Sequence, residues 1–280
     1  MIIILLTGCG SGALKPKDKI VFVSILPLKY FTDKIVGDNY KVEVTVPPGV
    51  GPETYSPSPK QMMQLGNAKA YFSIGYLGFE QAWLGNFKST NPDLEVFVTS
   101  KRIDLIKDEQ QHGDHAHVQG VDPHIWSSPK AARLIAQNIF DGMVQIDPTN
   151  GDTYRKNYDQ LLSEIGKVDS TVTKLLSKAS SKKFILFHPA LGYFARDYGL
   201  KQLSIEFEGK VPSPKHLQTV IETARAENIK FILIQKEFDK ENAEIIAKET
   251  GCKIIVIDPL DYKWPEQMIS IAEKLSNQAQ

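Results

Sequence analysis

The chain has 280 residues, too many for one small core and enough for two domains of ordinary size. Hydrophobic residues make up 42%, which supports packed globular structure, and 33 basic residues balance 33 acidic ones. A formal charge of zero removes the electrostatic case for a nucleic-acid partner, and no apolar run approaches the roughly 20 residues that span a bilayer.

The first residues, Met1 to Leu6, are apolar and run into Thr7-Gly8-Cys9-Gly10. Such a run ending in small residues resembles the tail of a secretory signal. Leu6-Thr7-Gly8-Cys9 looks like a bacterial lipobox, in which Cys9 would be lipidated. The run is short and lacks a basic segment before it, so the true start is expected upstream of Met1. Residues 1–18 read as a signal remnant and tether; the alternative is a buried first strand. Lipidation of Cys9 would leave Cys252 alone, without a disulfide framework, as a small buried residue before a strand.

Runs rich in Val, Ile, Phe and Tyr predict strands at Ile20–Ile25, Val42–Val46, Ala70–Ile74 and Glu95–Thr99. A second set follows at Phe184–Phe187, Gln202–Ile205, Phe231–Ile234 and Ile254–Ile257. Helical stretches separate most of them, the βαβ pattern of a parallel sheet. Between the sets, a helix is expected from Pro129 to Val144, ending before Asp147-Pro148. Then Tyr154, Tyr158, Leu161, Ile165, Val168, Val172 and Leu175 recur at three- and four-residue steps. That stripe predicts one helix over residues 152–180, about 43 Å long, capped by Asp152 or Thr153; two helices broken near Gly166 are the alternative. The fold class is therefore α/β. Two lobes, each a mostly parallel four-stranded sheet flanked by helices, are joined by one long spine helix. The expected boundaries are 19–150 for the N-terminal lobe, 151–181 for the linking helix and 182–280 for the C-terminal lobe.

Several potential metal ligands sit beside prolines at or near the ends of apolar runs: Asp122-Pro123-His124, Phe187-His188-Pro189 and Asp258-Pro259. In open α/β sheets, ligands bind beyond the carboxyl ends of strands. Two imidazoles and a carboxylate from distant parts of the chain can converge there on one divalent cation. Each has a plainer reading: a surface-loop histidine, a satisfied core histidine, and a carboxylate capping the next turn. Glu53, beyond the strand Val42–Val46, is a fourth candidate, or else a solvated loop carboxylate. Trp126 could wall the site from water. The polar stretch Lys107 to Gly120 carries His112, His115 and His117.

These segments resemble the zinc- and manganese-binding lipoproteins of bacterial ABC importers, the zinc-uptake type in particular. The resemblance covers nearly everything from Lys19 onward. Pro47-Pro48-Gly49-Val50-Gly51-Pro52-Glu53-Thr54-Tyr55 matches the family's first ligand segment, with Gly51 where the family has Asp and Glu53 where it has the first ligand histidine. Asp122-Pro123-His124-Ile125-Trp126 to Pro129 matches the second. Phe187-His188 with Ala190, Tyr193, Phe194, Ala195, Tyr198, Gly199 and Leu200 matches the third. Asp258-Pro259-Leu260 matches the fourth, and Glu208 to Pro214 resembles a recurring family loop.

The resemblance implies an extracytoplasmic solute-binding protein, not an enzyme, that captures Zn²⁺ between two lobes. It would deliver the ion to an ABC permease and its ATPase, as a monomer held to the membrane by lipid on Cys9. Implied metal ligands are Glu53, His124, His188 and Asp258. His188 at the third position implies zinc, whereas manganese members carry Glu there. The loop with His112, His115 and His117 would capture zinc weakly, or is a solvated loop. Glu53 in place of imidazole hardens the site and narrows its preference over Mn²⁺ or iron. Rival readings are manganese or iron import, a zinc hydrolase with Glu53 as general base, and an adhesin or metal-storage module. The absence of a His-Glu-x-x-His pattern weighs against the hydrolase.

Overall fold

A computed structural model describes residues 19–107, 120–179, 181–206, 212–238 and 240–276. Cys9, His112, His115 and His117 lie outside the described residues, as does much of the Glu208–Pro214 loop. The first four strands are β1 Ile20–Val23, β2 Lys41–Val44, β3 Ala70–Ser73 and β4 Glu95–Val98. They form one parallel sheet in the order β2-β1-β3-β4. The second four are β5 Lys183–Leu186, β6 Lys201–Ser204, β7 Phe231–Gln235 and β8 Lys253–Ile257. They repeat the topology as β6-β5-β7-β8, again parallel. All eight expected strands are present, with ends shifted by at most two residues.

Side chains alternate across each sheet because successive Cβ atoms point to opposite faces. Val21 and Val23 enter the main core, while Phe22 turns to the other face and packs with Tyr71 and Phe87. In the second sheet Phe184 and Leu186 enter the same main core, while Ile185 packs with Ile232 and Ile234 on the far side. One apolar core therefore runs through both lobes, with a smaller cluster on the outer face of each sheet.

Helices supply the covering layers. They are α1 Leu26–Val36, α2 Pro59–Leu65, α3 Gly78–Thr90, α4 Pro129–Ile146, α5 Gly151–Leu176, α6 Gly192–Asp197, α7 Pro214–Ala226, α8 Glu241–Thr250 and α9 Trp264–Ser276. The expected spine is α5, which buries Tyr154, Tyr158, Leu161, Ile165, Val168, Val172 and Leu176 along one stripe. It packs against α1, α4 and α9. It passes Gly166 unbroken, and a Cβ there would lie 2.9 Å from Arg133 Nη2. Its end is Leu176 rather than residue 180. The expected cap at Asp152 or Thr153 is replaced by entry from a 3-10 turn, Pro148–Asn150, with no capping side chain. Asp152 still lies in the first turn, where a carboxylate favours the helix dipole. No described helix is long and apolar enough to cross a membrane.

Cross-lobe bonds lock the arrangement. Trp126 Nε1–H donates to the Pro259 carbonyl at 3.1 Å, and Trp264 Nε1–H donates to the Trp126 carbonyl at 2.7 Å. Both indoles are fully buried. Tyr193 on α6 donates to the Asp122 carbonyl at 2.7 Å.

The turn between β3 and α3 is organised by Glu80, a carboxyl buried without exposure. It accepts N–H bonds from Ile74 at 2.8 Å, Gly75 at 2.6 Å and Leu77 at 3.3 Å, together with the Ser24 hydroxyl. Burial outweighs these bonds and raises its pKa to about 7. An acid whose folded pKa exceeds its unfolded value stabilises the fold fully below the unfolded pKa. That contribution is lost as pH rises through the folded one. The stability advantage of wild type over Glu80→Gln should therefore shrink by roughly 2–3 kcal/mol between pH 5 and 8. Urea unfolding of both proteins across that range checks it; a constant difference would refute the assignment.

Candidate metal site

The site forms where the carboxyl ends of the strands face each other across the lobes. His188 follows β5 and Gln235 ends β7, so both flank the point at which the second sheet reverses its strand order, where such folds place ligands. His124 comes from the stiff Asp122-Pro123 segment that opens the 3-10 turn Ile125–Ser127. Glu53 lies on the proline-rich loop beyond β2.

Three of the four expected ligands converge. One donor atom from each of Glu53, His124 and His188 lies within 4.8 Å of the others. The two imidazole Nε2 atoms face each other at 3.2 Å, and His188 Nε2 lies 3.5 Å from Glu53 Oε1. In a tetrahedral site with nitrogens about 2.0–2.1 Å from the ion, two donors stand ~3.3 Å apart. Both histidines are buried, whereas the Glu53 side chain is 44% exposed and forms the mouth.

Each imidazole is oriented from behind. His124 Nδ1 sits 2.7 Å from Asp122 Oδ1, which also accepts the His124 backbone N–H at 2.9 Å. His188 Nδ1 sits 3.0 Å from Glu206 Oε2. A carboxylate accepts the Nδ1–H hydrogen bond in both cases, which favours the tautomer that turns Nε2 toward the cavity as an acceptor. Gln235 clamps the His188 backbone, donating to its carbonyl at 2.8 Å and accepting its N–H at 3.4 Å. Phe238 stacks on the His188 ring at 5.0 Å, and Trp126 lies 5.2 Å from the His124 ring and lines the cavity. For His188, burial lowers the pKa, but the Glu206 hydrogen bond and the charges of Glu53, Glu206 and Asp122 outweigh it, and the net direction is upward.

Asp258 stands apart from the converging group. It follows β8 as expected, but its carboxylate is ion-paired with Lys236 and its Oδ1 accepts the Leu260 N–H at 3.1 Å. Between the two sits Glu237, which lines the cavity of the histidines and the adjoining one of Asp258. Burial raises its pKa, and the charges of Asp258 and Glu53 raise it further. Sequence reasoning missed Glu206, Gln235 and Glu237 as site residues. The available signal was their position just beyond or at the ends of β6 and β7, the same argument that placed His188 and Asp258.

The family model for the zinc-uptake complex component A, periplasmic, matches residues 21–277. The high-affinity zinc uptake system protein ZnuA of Bacillus subtilis (strain 168) is 31% identical over 275 residues, covering 92% of this chain and 85% of the relative. The zinc-binding protein AdcA of Streptococcus pyogenes serotype M3 is 26% identical over 267 residues, and the match spans about half of its length, 50%, against 86% of this chain. A solved structure titled as that of ZnuA superposes with a TM-score of 0.87 at 36% identity, covering 93% of this chain and 98% of the other. The chain belongs to the zinc-uptake complex component A family.

In the metal-free protein the His188 ring should titrate above the ordinary 6.5, and Glu206→Gln should move its midpoint down. Histidine NMR titration checks both; an unmoved midpoint would show that Glu206 does not set the basicity of His188.

Proposed function

We propose that this member of the zinc-uptake family captures Zn²⁺ outside the cytoplasmic membrane and presents it to an ABC permease and its ATPase. The observation that carries this reading is the pair of Nε2 atoms at 3.2 Å, each imidazole backed by a carboxylate. Two acceptor lone pairs at that distance repel unless a proton or a metal cation lies between them. Nitrogen donors in tetrahedral array suit zinc. The ion is cargo, so no group need act on it, and the chain is read as a binding protein rather than an enzyme.

Glu53, His124 and His188 bind first, and Asp258 completes the shell after leaving Lys236. The shared core and the Trp126 and Trp264 bonds oppose a wide swing of the lobes. Capture then consists of side-chain and loop movement at the mouth, with at most a small tilt. The chain is read as a monomer, tethered through lipid on Cys9, with His112, His115 and His117 collecting zinc at low affinity. The lipobox-like residues and the spacing of the histidines support these parts. Glu53 supplies oxygen where imidazole would favour zinc more strongly, so Mn²⁺ should compete better than at an all-histidine site.

Competitive titration of metal-stripped protein should give one tight Zn²⁺ per chain, with Mn²⁺ much weaker. Asp258→Asn should weaken zinc by roughly ten-fold or more. Lys236→Gln, which removes the competing ammonium, should tighten it. The affinity should fall with pH as protons compete for the imidazoles, beginning above 6.5 because His188 is raised. Comparable Zn²⁺ and Mn²⁺ affinities would move the reading to a mixed-metal importer. An unchanged affinity in Asp258→Asn would leave that carboxylate outside the shell.

A further inference from the structure

Glu53 is the least anchored of the three converging side chains. It lies on a loop between β2 and α2 that contains no regular structure, and its carboxylate is the exposed one. Something other than secondary structure must decide where its oxygens point.

Two glycines stand in contact with it. A Cβ at Gly51 would lie 2.7 Å from Glu53 Oε2, so the carboxylate has folded back into the space that any larger residue at 51 would fill. Gly51 does not have the left-handed backbone of its neighbour Gly49, where φ is +79°. What position 51 demands is therefore room, not conformational freedom. A Cβ at Gly78 would lie 2.5 Å from the Glu53 carbonyl oxygen. Gly78 is the first residue of α3 and also lacks a left-handed backbone. The Glu53 backbone thus rests directly on the start of that helix. The platform is firm, because Glu80 pins the N–H groups of Ile74, Gly75 and Leu77 immediately before it.

The two contacts act on different parts of the same residue. Gly78 sets how deeply the Glu53 backbone seats against the N-terminal lobe. Gly51 lets Oε2 tuck back while Oε1 reaches to 3.5 Å from His188 Nε2. With a side chain at 51 the carboxylate must swing away. The obstacle is the end of a flexible side chain, so the fold is undisturbed and only the ligand moves. With a side chain at 78 the obstacle is backbone, and the whole loop must lift.

We propose that Gly51 and Gly78 are specificity-determining positioning residues: together they place the Glu53 carboxylate against the histidine pair, and so set the oxygen share of the metal shell. This rests on the reading of Glu53 as a ligand, and the test separates the two.

The experiment is a competitive Zn²⁺ and Mn²⁺ titration of the full chain for wild type, Gly51→Ala, Gly78→Ala, Glu53→Ala and the two double variants with Glu53→Ala. Unfolding midpoints are measured alongside. Glu53→Ala should weaken zinc roughly ten-fold and weaken manganese more, since the harder ion depends more on oxygen. Gly51→Ala should reproduce most of that loss, and the same shift in the zinc-to-manganese ratio, with an unchanged unfolding midpoint. Neither glycine substitution should add a loss once Glu53 is already alanine. If Gly51→Ala leaves both affinities at the wild-type level while Glu53→Ala lowers them, the positioning role is wrong and the ligand reading stands. If the loss in Gly51→Ala persists in full without Glu53, the glycine acts through the loop and not the carboxylate, which also overturns the proposal. If Glu53→Ala itself changes nothing, the ligand reading fails and the proposal falls with it.

Discussion

The 3.2 Å approach of two imidazole Nε2 atoms is the constraint on which the rest of this structure depends. Left to themselves, two neutral rings would turn so that an N–H of one met the lone pair of the other. Here Asp122 and Glu206 engage the Nδ1–H groups, so an Nε2–H between the rings requires a second proton on one of them. The Gln235 clamp on the His188 backbone and the Phe238 stack remove further freedom from one ring. The Asp122 contact to the His124 backbone N–H removes it from the other. Ordering these groups is done by folding, so a bound cation need not supply it. On the proposed reading, a bound ion relieves this juxtaposition.

That arrangement needs the two lobes in fixed register, since one ring comes from each. The register is set by burial rather than by surface bonds. A single apolar core contains strand residues of both sheets and the stripe of α5, and the two indole N–H groups cross between lobes inside it. Interiors packed in this way resist continuous deformation. Motion is left to the parts outside the core: the loop bearing Glu53 and the Lys236–Asp258 pair. In the proposed shell the buried imidazoles are the fixed half and the carboxylates the adjustable half.

Much of this was legible in the residues. Strand runs, the period of the α5 stripe and the placement of His124 and His188 all depend on local pattern and on a general rule about strand ends. Where reading failed, the cause was an interaction between remote residues. Glu206 and His188 are eighteen positions apart, and their hydrogen bond depends on β6 lying beside β5. Lys236 meets Asp258 because β7 and β8 are neighbours in register. No local signal encodes either pairing. The start of α5 failed for a different reason: a 3-10 turn continuing into the helix made a side-chain cap unnecessary.

Charge explains why the site attracts a cation but does not by itself choose one. Glu53, Asp122, Glu206, Glu237 and Asp258 surround the histidines or stand next to them, with Lys236 paired to the last. Burial raises the Glu237 pKa most, and repulsion from Asp258 and Glu53 raises it further. Any divalent ion would relieve that repulsion, hard or soft. Selection must come from donor type, and there the two halves of the shell pull apart: the imidazoles favour zinc, while each added oxygen makes manganese a better competitor. The imidazoles are buried and held by the core, so the nitrogen contribution is fixed. In the proposed shell the oxygen contribution depends on a half-exposed loop residue and on a carboxylate that would exchange an ammonium for the metal. On the proposed assignment of Glu53 and Asp258 as ligands, selectivity would be adjusted at the mouth of the site, by how well Glu53 is held there and how readily Lys236 yields Asp258.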